Sequence, residues 1–229
     1  KKSSHIITIS NFVKNDLIKF TGVNPEKITV TLESADELPK GNEPVDELIG
    51  KKFIMYIGRP TPHKNLRRLI DAFALLQKKY PDLTLALAGK KDSNYAHHET
   101  YVNEHGIKNV VFTGFISDEQ LRWMYENTAV YCFPSLSEGF GLPGLEAMLH
   151  GAPVASSTAT CLPETHGDAA HYFDPFSVED IAKSIDDILS DDKLRNELVK
   201  KGKKHVKTFS WQRMAEQTLA VYEKYGRKS

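Results

Sequence analysis

Short apolar runs alternate with amphipathic stretches along nearly the whole chain. Phe53–Ile57 (FIMYI), Leu83–Ala88 (LTLALA), Val110–Thr113, Ala129–Phe133 (AVYCF) and Pro153–Ser156 are continuous runs of strand length. Such runs predict strands buried on both faces. His5–Ser10 (HIITIS), Ile28–Leu32 and Ala170–Phe173 read as further strands. Between them the period changes to that of a helix. Asn65–Tyr80 sets Leu66, Leu69, Ile70, Phe73 and Leu76 on one face, with Asn65 as its predicted cap. Asn11–Phe20 predicts a helix capped by Ser10 or Asn11, and Tyr95–His105 one stopped by Gly106. Ser117-Asp118-Glu119-Gln120 is a capping signature that opens the next helix. Pro143–His150 has proline at its first position and Gly151 after its end. Val178–Leu189, Lys193–Phe209 and Trp211–Tyr225 predict three closing helices. Pro39–Pro44 (PKGNEP) is a turn-rich linker.

Strands separated by helices predict an α/β fold with a doubly wound parallel sheet. Such sheets take ligands at the carboxyl ends of their strands, near helix N-termini. The loops to inspect therefore follow Ile57, Ala88, Thr113 and Phe133.

Composition narrows the field. The 229 residues carry thirty basic and thirty acidic side chains, so no net field favours nucleic acid or an anionic membrane. Hydrophobic residues at 40% and charged residues at 26% are ordinary for a soluble domain. Cys132 and Cys161 form no CxxC, which predicts a reduced, cytoplasmic protein without structural zinc. No stretch is long and apolar enough to span a bilayer. The start, Lys1-Lys2-Ser3-Ser4 and the short run Ile6–Ile9, does not make a signal peptide.

Chemistry concentrates in three loops. Ser137-Glu138-Gly139-Phe140-Gly141-Leu142-Pro143-Gly144-Leu145-Glu146 runs from a strand through glycines into a helix. Gly139 and Gly141 permit close backbone approach, and the helix start offers free N–H groups to a phosphate. Glu138 and Glu146 bracket the loop and suit sugar or ribose hydroxyls. Spacing alone leaves open a plain strand-to-helix turn with two unrelated glutamates. Gly58-Arg59-Pro60-Thr61-Pro62-His63-Lys64-Asn65 places two cations on one stiffened loop, where Arg59 and Lys64 could hold phosphate oxygens. Taken alone, two solvated cations explain them as well. His63 has no nucleophile–base partner in view. Thr113-Gly114-Phe115-Ile116-Ser117 could present amides to a base edge, with the Phe115 side chain expected in the core. His97 and His98 are expected exposed, His166 and His171 structural, Lys200-Lys201-Gly202-Lys203-Lys204 solvated, and Trp123 and Trp211 packing residues. No two aspartates are separated by a single intervening residue, so a paired-aspartate metal site for diphosphate is not apparent. There is no HExxH, GxSxG or P-loop sequence.

These residues resemble a known family. SEGFGLPGLEAMLHGAPVASS is similar to the signature of the group 1 (family 4) retaining glycosyltransferases, whose GT-B architecture pairs two Rossmann-like domains. HIITISNF, GRPTPHKN, VVFTGFISDEQLRWMYENTAVYCFPSLSEGFGLP, LPETHGDAAHYFDP and FSWQRMAEQTL follow the family's order. The resemblance implies a junction segment at 1–40, a donor-binding Rossmann-like domain at 45–208 and a crossover helix at 209–229. Arg59 and Lys64 would then bind the donor diphosphate with no metal required, and Glu138 would contact the donor sugar. Glu146 would hold the ribose, Gly139, Phe140, Gly141 and Leu142 would meet sugar and phosphate oxygens, and Gly58, Gly114, Phe115 and Ile116 would line the nucleotide. The donor implied is a GDP-, UDP- or ADP-sugar, with GDP-mannose slightly preferred. The acceptor, a glycan or lipid-linked molecule, would bind an N-terminal half that this sequence lacks, leaving the fragment inactive by itself. Peripheral contact with the cytoplasmic membrane face would come through that half. Glu33-Ser34-Ala35-Asp36 and Gly89-Lys90-Lys91-Asp92 depart from the family pattern. A nucleotide-sugar epimerase of related architecture and a non-catalytic binding module are the alternatives.

Overall fold

The structure is a computed structural model in which residues 3–41 and 43–226 are described. Asn42 of the predicted linker lies outside the described residues, as do the first two and last three positions. Among the described residues, six strands form one parallel sheet. They are β3 (Phe53–Ile57), β4 (Thr84–Ala88), β5 (Val110–Gly114), β6 (Val130–Phe133), β7 (Val154–Ser157) and β8 (Ala170–Phe173), in the order β5-β4-β3-β6-β7-β8. A separate two-stranded parallel sheet joins β1 (Ile6–Thr8) to β2 (Ile28–Val30).

Alternation along the strands sorts the core into two layers. On one face Phe53, Met55, Tyr131 and Phe133 pack under α4 (Asp118–Asn127) and α5 (Leu142–Leu149) through Met124, Tyr125, Leu145 and Met148. On the other, Ile54, Tyr56, Leu85, Leu87, Val130 and Cys132 meet α2 (Leu66–Leu76) and α7 (Val178–Ser190). Leu69, Ile70, Phe73, Ile181, Ile185 and Ile188 come from those helices and are wholly buried. Each contributes about 1.5–3 kcal/mol by leaving water. The fold is therefore the doubly wound α/β sheet that the sequence predicts.

The capping box at Ser117 forms as the sequence predicts, with Ser117 and Gln120 exchanging side-chain and backbone bonds. Three predicted features differ. Asn65 adopts a left-handed φ of 60° and does not cap α2 with its side chain. The predicted helix Lys193–Phe209 is α8 (Asp192–His205) followed by a tight 3-10 turn, Val206–Thr208, because the apolar Val206 and Phe209 turn inward beneath α5. A short helix not anticipated, α6 (Leu162–His166), fills the segment between β7 and β8.

The amino-terminal segment attaches to this body through α1 (Asn11–Thr21). Ser10 caps it conventionally by accepting from Val13. The rest of its first turn is held from outside. Glu164 on α6 accepts the Asn11 and Phe12 backbone amides at 2.8 and 2.9 Å. A carboxylate there satisfies free amides and meets the positive helix end. Glu164→Ala is expected to cost about 1–2 kcal/mol, the scale of a lost charged cap. The urea midpoint and the exchange rates of the Asn11 and Phe12 amides measure it. The closing helix, α9 (Trp211–Tyr225), lies beside the small sheet, with Tyr225 stacked on His5 at 4.0 Å between ring centroids. Leu219 and Tyr222 on α9 remain exposed.

Candidate functional site

The chain enters the sheet at β3, builds outward through β4 to β5, and then returns to the other side of β3 to lay down β6. The order therefore reverses between β3 and β6. Loops leaving the carboxyl ends of two such strands diverge and open a crevice, the usual ligand position in this architecture. The two loops at this point are Gly58–Asn65 and Pro134–Gly141, the two richest in predicted site residues.

Side chains join them. Lys64 donates to Glu138 Oε1 at 2.6 Å, and both side chains are largely buried, 21% and 13% exposed. The Leu136 amide donates to the His63 carbonyl at 2.7 Å. Asn65 explains its unusual backbone here, because its buried amide nitrogen donates to the Pro134 and Pro175 carbonyls at 3.0 and 2.8 Å. Asparagine is one of the few residues that tolerate this conformation, so one side chain fixes three segments.

The glycine-rich loop is held by its carbonyls. The Cys161 thiol donates to the Glu138 carbonyl, Ser10 to that of Gly139 at 2.7 Å, and His166 Nε2 to that of Gly141 at 3.2 Å. In a trans peptide the N–H points opposite to the C=O. The following amides, Gly139, Phe140 and Leu142, therefore point away from the groups that hold the loop. Leu142 opens α5, whose amino end carries a partial positive charge. Preorganised amides at a helix start can receive phosphate or sugar oxygens.

His166 is wholly buried, and burial pushes its pKa down to about 4. A carbonyl only accepts, so Nε2 carries the proton and Nδ1 accepts from the Ser156 hydroxyl at 3.1 Å. Gly144 is what makes room for it: a Cβ there would overlap the imidazole. Gly141, at φ 104°, occupies backbone space that side-chain-bearing residues rarely adopt.

Glu146 lies in the second turn of α5, where burial pushes its carboxyl above the ordinary range. It accepts from the Tyr125 hydroxyl at 3.2 Å. Burial pushes the Tyr131 hydroxyl well above its ordinary range, and the charges of Glu146 and Glu138 add to the shift in the same direction. Farther along the same edge, the Gly89 amide donates to the Gly114 carbonyl at 3.1 Å, and Tyr95 bridges the Gly58 and Ala88 carbonyls.

Two predicted placements are corrected. Phe115 is not in the core: its side chain is 85% exposed, because the left-handed turn at Gly114 carries it past the end of β5. Ile116 takes the core position instead, packed against the cluster under α4. Arg59 stays beside the crevice but reaches outward to Asp92 at 3.3 Å and is 76% exposed. His98 is half-buried rather than exposed, while His97 is exposed as expected. His171, taken as structural, pairs with Asp187 at 3.1 Å. A cleft of about 330 Å³ flanks the Gly58–Asn65 loop at Pro60, Pro62, Arg68 and His98. A larger one of about 530 Å³ lies at the opposite edge, by Lys52, Thr84 and Asn109, and includes no predicted site residue. Ser10, Thr160, Cys161 and His166 support the loop without having been singled out for it. Thr160, Cys161 and His166 lie in or beside the unforeseen α6, and Ser10 was read only as a cap.

Comparison with known proteins shows the family and the fold. The family model described as "Glycosyl transferases group 1" matches residues 41–205. The chain is 32% identical to O-antigen chain mannosyltransferase B of Escherichia coli, over 95% of its own length and 60% of that protein. It is also 32% identical to the MMP alpha-(1->4)-mannosyltransferase of Mycolicibacterium hassiacum, over 96% of the chain and 54% of the relative. The chain thus spans somewhat more than half the length of these relatives. Among solved structures, sucrose-phosphate synthase from Thermosynechococcus elongatus superposes with a TM-score of 0.81 at 25% identity, over 95% of this chain and 57% of that one. Anabaena HepE in complex with UDP-glucose shares the fold at a TM-score of 0.80 and 20% identity, over 96% and 64% of the two chains.

Proposed function

Because the chain belongs to the group 1 glycosyl transferases, we propose that it binds a nucleotide-diphosphate sugar along the carboxyl edge of its sheet and forms the donor side of a hexosyltransferase. The observation that carries this is the Lys64–Glu138 pair, a cation and a carboxylate held 2.6 Å apart where the strand order reverses.

The loops after β5, β4, β3 and β6 stand side by side in that order. Strands about 4.8 Å apart put the outer two about 14 Å from each other, a span that suits an extended nucleotide sugar. The base would lie toward Gly114, Phe115 and Ile116. The diphosphate would lie near Gly58, Arg59 and Lys64, the sugar near Glu138 and the Gly139–Leu142 amides, and the ribose on Glu146. Lysine has three donors, so Lys64 can keep Glu138 and still meet a phosphate oxygen. As the bond from sugar to diphosphate breaks, negative charge grows on the leaving group, and Lys64, Arg59 and the loop amides stabilise it. On this reading no metal is required and the configuration at the anomeric carbon is retained. The named mannosyltransferase relatives make GDP-mannose the first donor to test. A glycan or lipid-linked acceptor would be bound by sequence beyond these residues. Among the described residues no helix is long and apolar enough to cross a membrane.

Calorimetric titration with GDP, UDP and ADP, with and without EDTA, tests the proposal. At least one should bind, equally well in both buffers. No binding of any at millimolar concentration overturns it. Lys64→Ala should weaken the bound nucleotide by about 1.5–3 kcal/mol, the value of a charge-assisted hydrogen bond. Arg59→Ala should cost less, about 0.5–1 kcal/mol, because an exposed cation is screened by water. Equal losses would count against the assignment of the inner role to Lys64.

A further inference from the structure

Three non-glycine residues among those described have positive φ: Asn65, Asn109 and Thr160. Asparagine enters that region readily. A β-branched residue does not, because its branched Cβ crowds the backbone. Thr160, at φ 54°, is therefore held in a conformation its own chemistry disfavours. Strain of this kind persists only where the surroundings impose it, and it concentrates at functional sites.

The position of Thr160 shows what the strain accomplishes. Its hydroxyl accepts the Glu138 backbone amide at 3.0 Å. The next residue, Cys161, is wholly buried and donates its thiol proton to the Glu138 carbonyl at 3.2 Å. Two consecutive residues thus grip Glu138 from its N–H side and its C=O side. The side chain of Glu138 then extends to Lys64. With its backbone clamped on both sides and its carboxylate paired, Glu138 has little freedom left.

We propose that Thr160 is a positioning residue: its left-handed turn brings its hydroxyl under Glu138 and so sets the Glu138 carboxylate for the donor sugar. This rests on the donor reading above. The mechanism separates cleanly from a role in folding. Glycine at this position relieves the strain and removes the hydroxyl, whereas serine keeps the hydroxyl.

The experiment compares wild type, Thr160→Gly, Thr160→Ser and Glu138→Gln, with the double variant of Thr160→Gly and Glu138→Gln. Thr160→Gly should match or exceed the wild-type Tm, yet its Glu138 amide should exchange with deuterium roughly tenfold faster or more, since one hydrogen bond is gone. Its affinity for GDP-mannose, or for the sugar of whichever nucleotide binds in the titration above, should fall roughly tenfold on the same scale. Thr160→Ser should restore both readouts. The affinity loss should vanish in the Glu138→Gln background, as expected when one residue acts through the other. A lowered Tm in Thr160→Gly, an unchanged Glu138 amide, or an affinity loss that persists without the Glu138 carboxylate would each overturn the proposal. Failure of the wild type to bind any nucleotide overturns the donor reading instead, and the exchange and Tm measurements still decide whether Thr160 holds Glu138.

Discussion

Gly144→Ala is expected to destabilise the domain by about 2–3 kcal/mol, the upper range for forcing atoms into a packed interior. A single methyl group would do this because the neighbour cannot yield. The imidazole of His166 is wholly buried and bonded at both nitrogens, to Ser156 and to Gly141. Moving it breaks both bonds, and moving α5 instead shifts Leu145 and Met148, which are themselves buried. Urea unfolding should show the loss as a lower midpoint at unchanged slope. The second variant makes the cause visible. His166→Ala alone should also destabilise, by opening a cavity and leaving Ser156 and Gly141 short of a partner. Combined with Gly144→Ala, it should cost less than the two losses added, because the new methyl group then occupies space the ring has vacated. Simple additivity would mean that the two positions do not oppose one another.

Acid should weaken the fold through the same histidine. Its folded pKa is about 4 against 6.5 for the free side chain, and burial is the main cause. Between these values the unfolded chain binds a proton that the folded chain refuses. Stability is therefore intact above about pH 6.5, falls as pH drops toward 4, and changes no further below that on this group's account. The loss is about 3 kcal/mol across the window, at 1.36 kcal/mol per unit. His205 on α8 is the titratable side chain whose charge bears on His166, and it acts in the same direction. Half-buried His98 and buried His150 are also shifted down by burial and add to the slope. Glu146, shifted up, opposes it near pH 4.5 and above. His166→Gln isolates the contribution: it retains an amide donor for Gly141 but cannot titrate. Its unfolding free energy should flatten between pH 6.5 and 4 relative to wild type, while parallel curves would remove His166 as the cause.

The fold was largely legible in the chain because its strands are continuous apolar runs. Phe53–Ile57 was located to the residue, and Val110 to Gly114 within one position. The same runs mark the loops between them, which is why Lys64 and Glu138 stand out in the sequence as candidates. What escaped lies where local pattern carries no signal. Leu162–His166 is five residues long, too short for a helical period to repeat. The sequence favours the core for the Phe115 side chain, and only the turn at Gly114 decides otherwise. Asn65 looks like a cap in sequence, yet its side chain serves two carbonyls remote in the chain. The hold of Ser10 on Gly139 spans 129 positions and has no local trace.

The helix α1 buries none of its side chains fully, so packing gives it only a light hold. At its first turn Glu164 holds the first amides and Ser10 ties directly into the glycine loop. Farther along, Lys14 donates to the Ile28 carbonyl at 3.1 Å, so the helix is also tied to the small sheet. Tilting α1 would tug on Gly139 and on α6 together, so a motion begun in the amino-terminal segment would reach the glycine-rich loop.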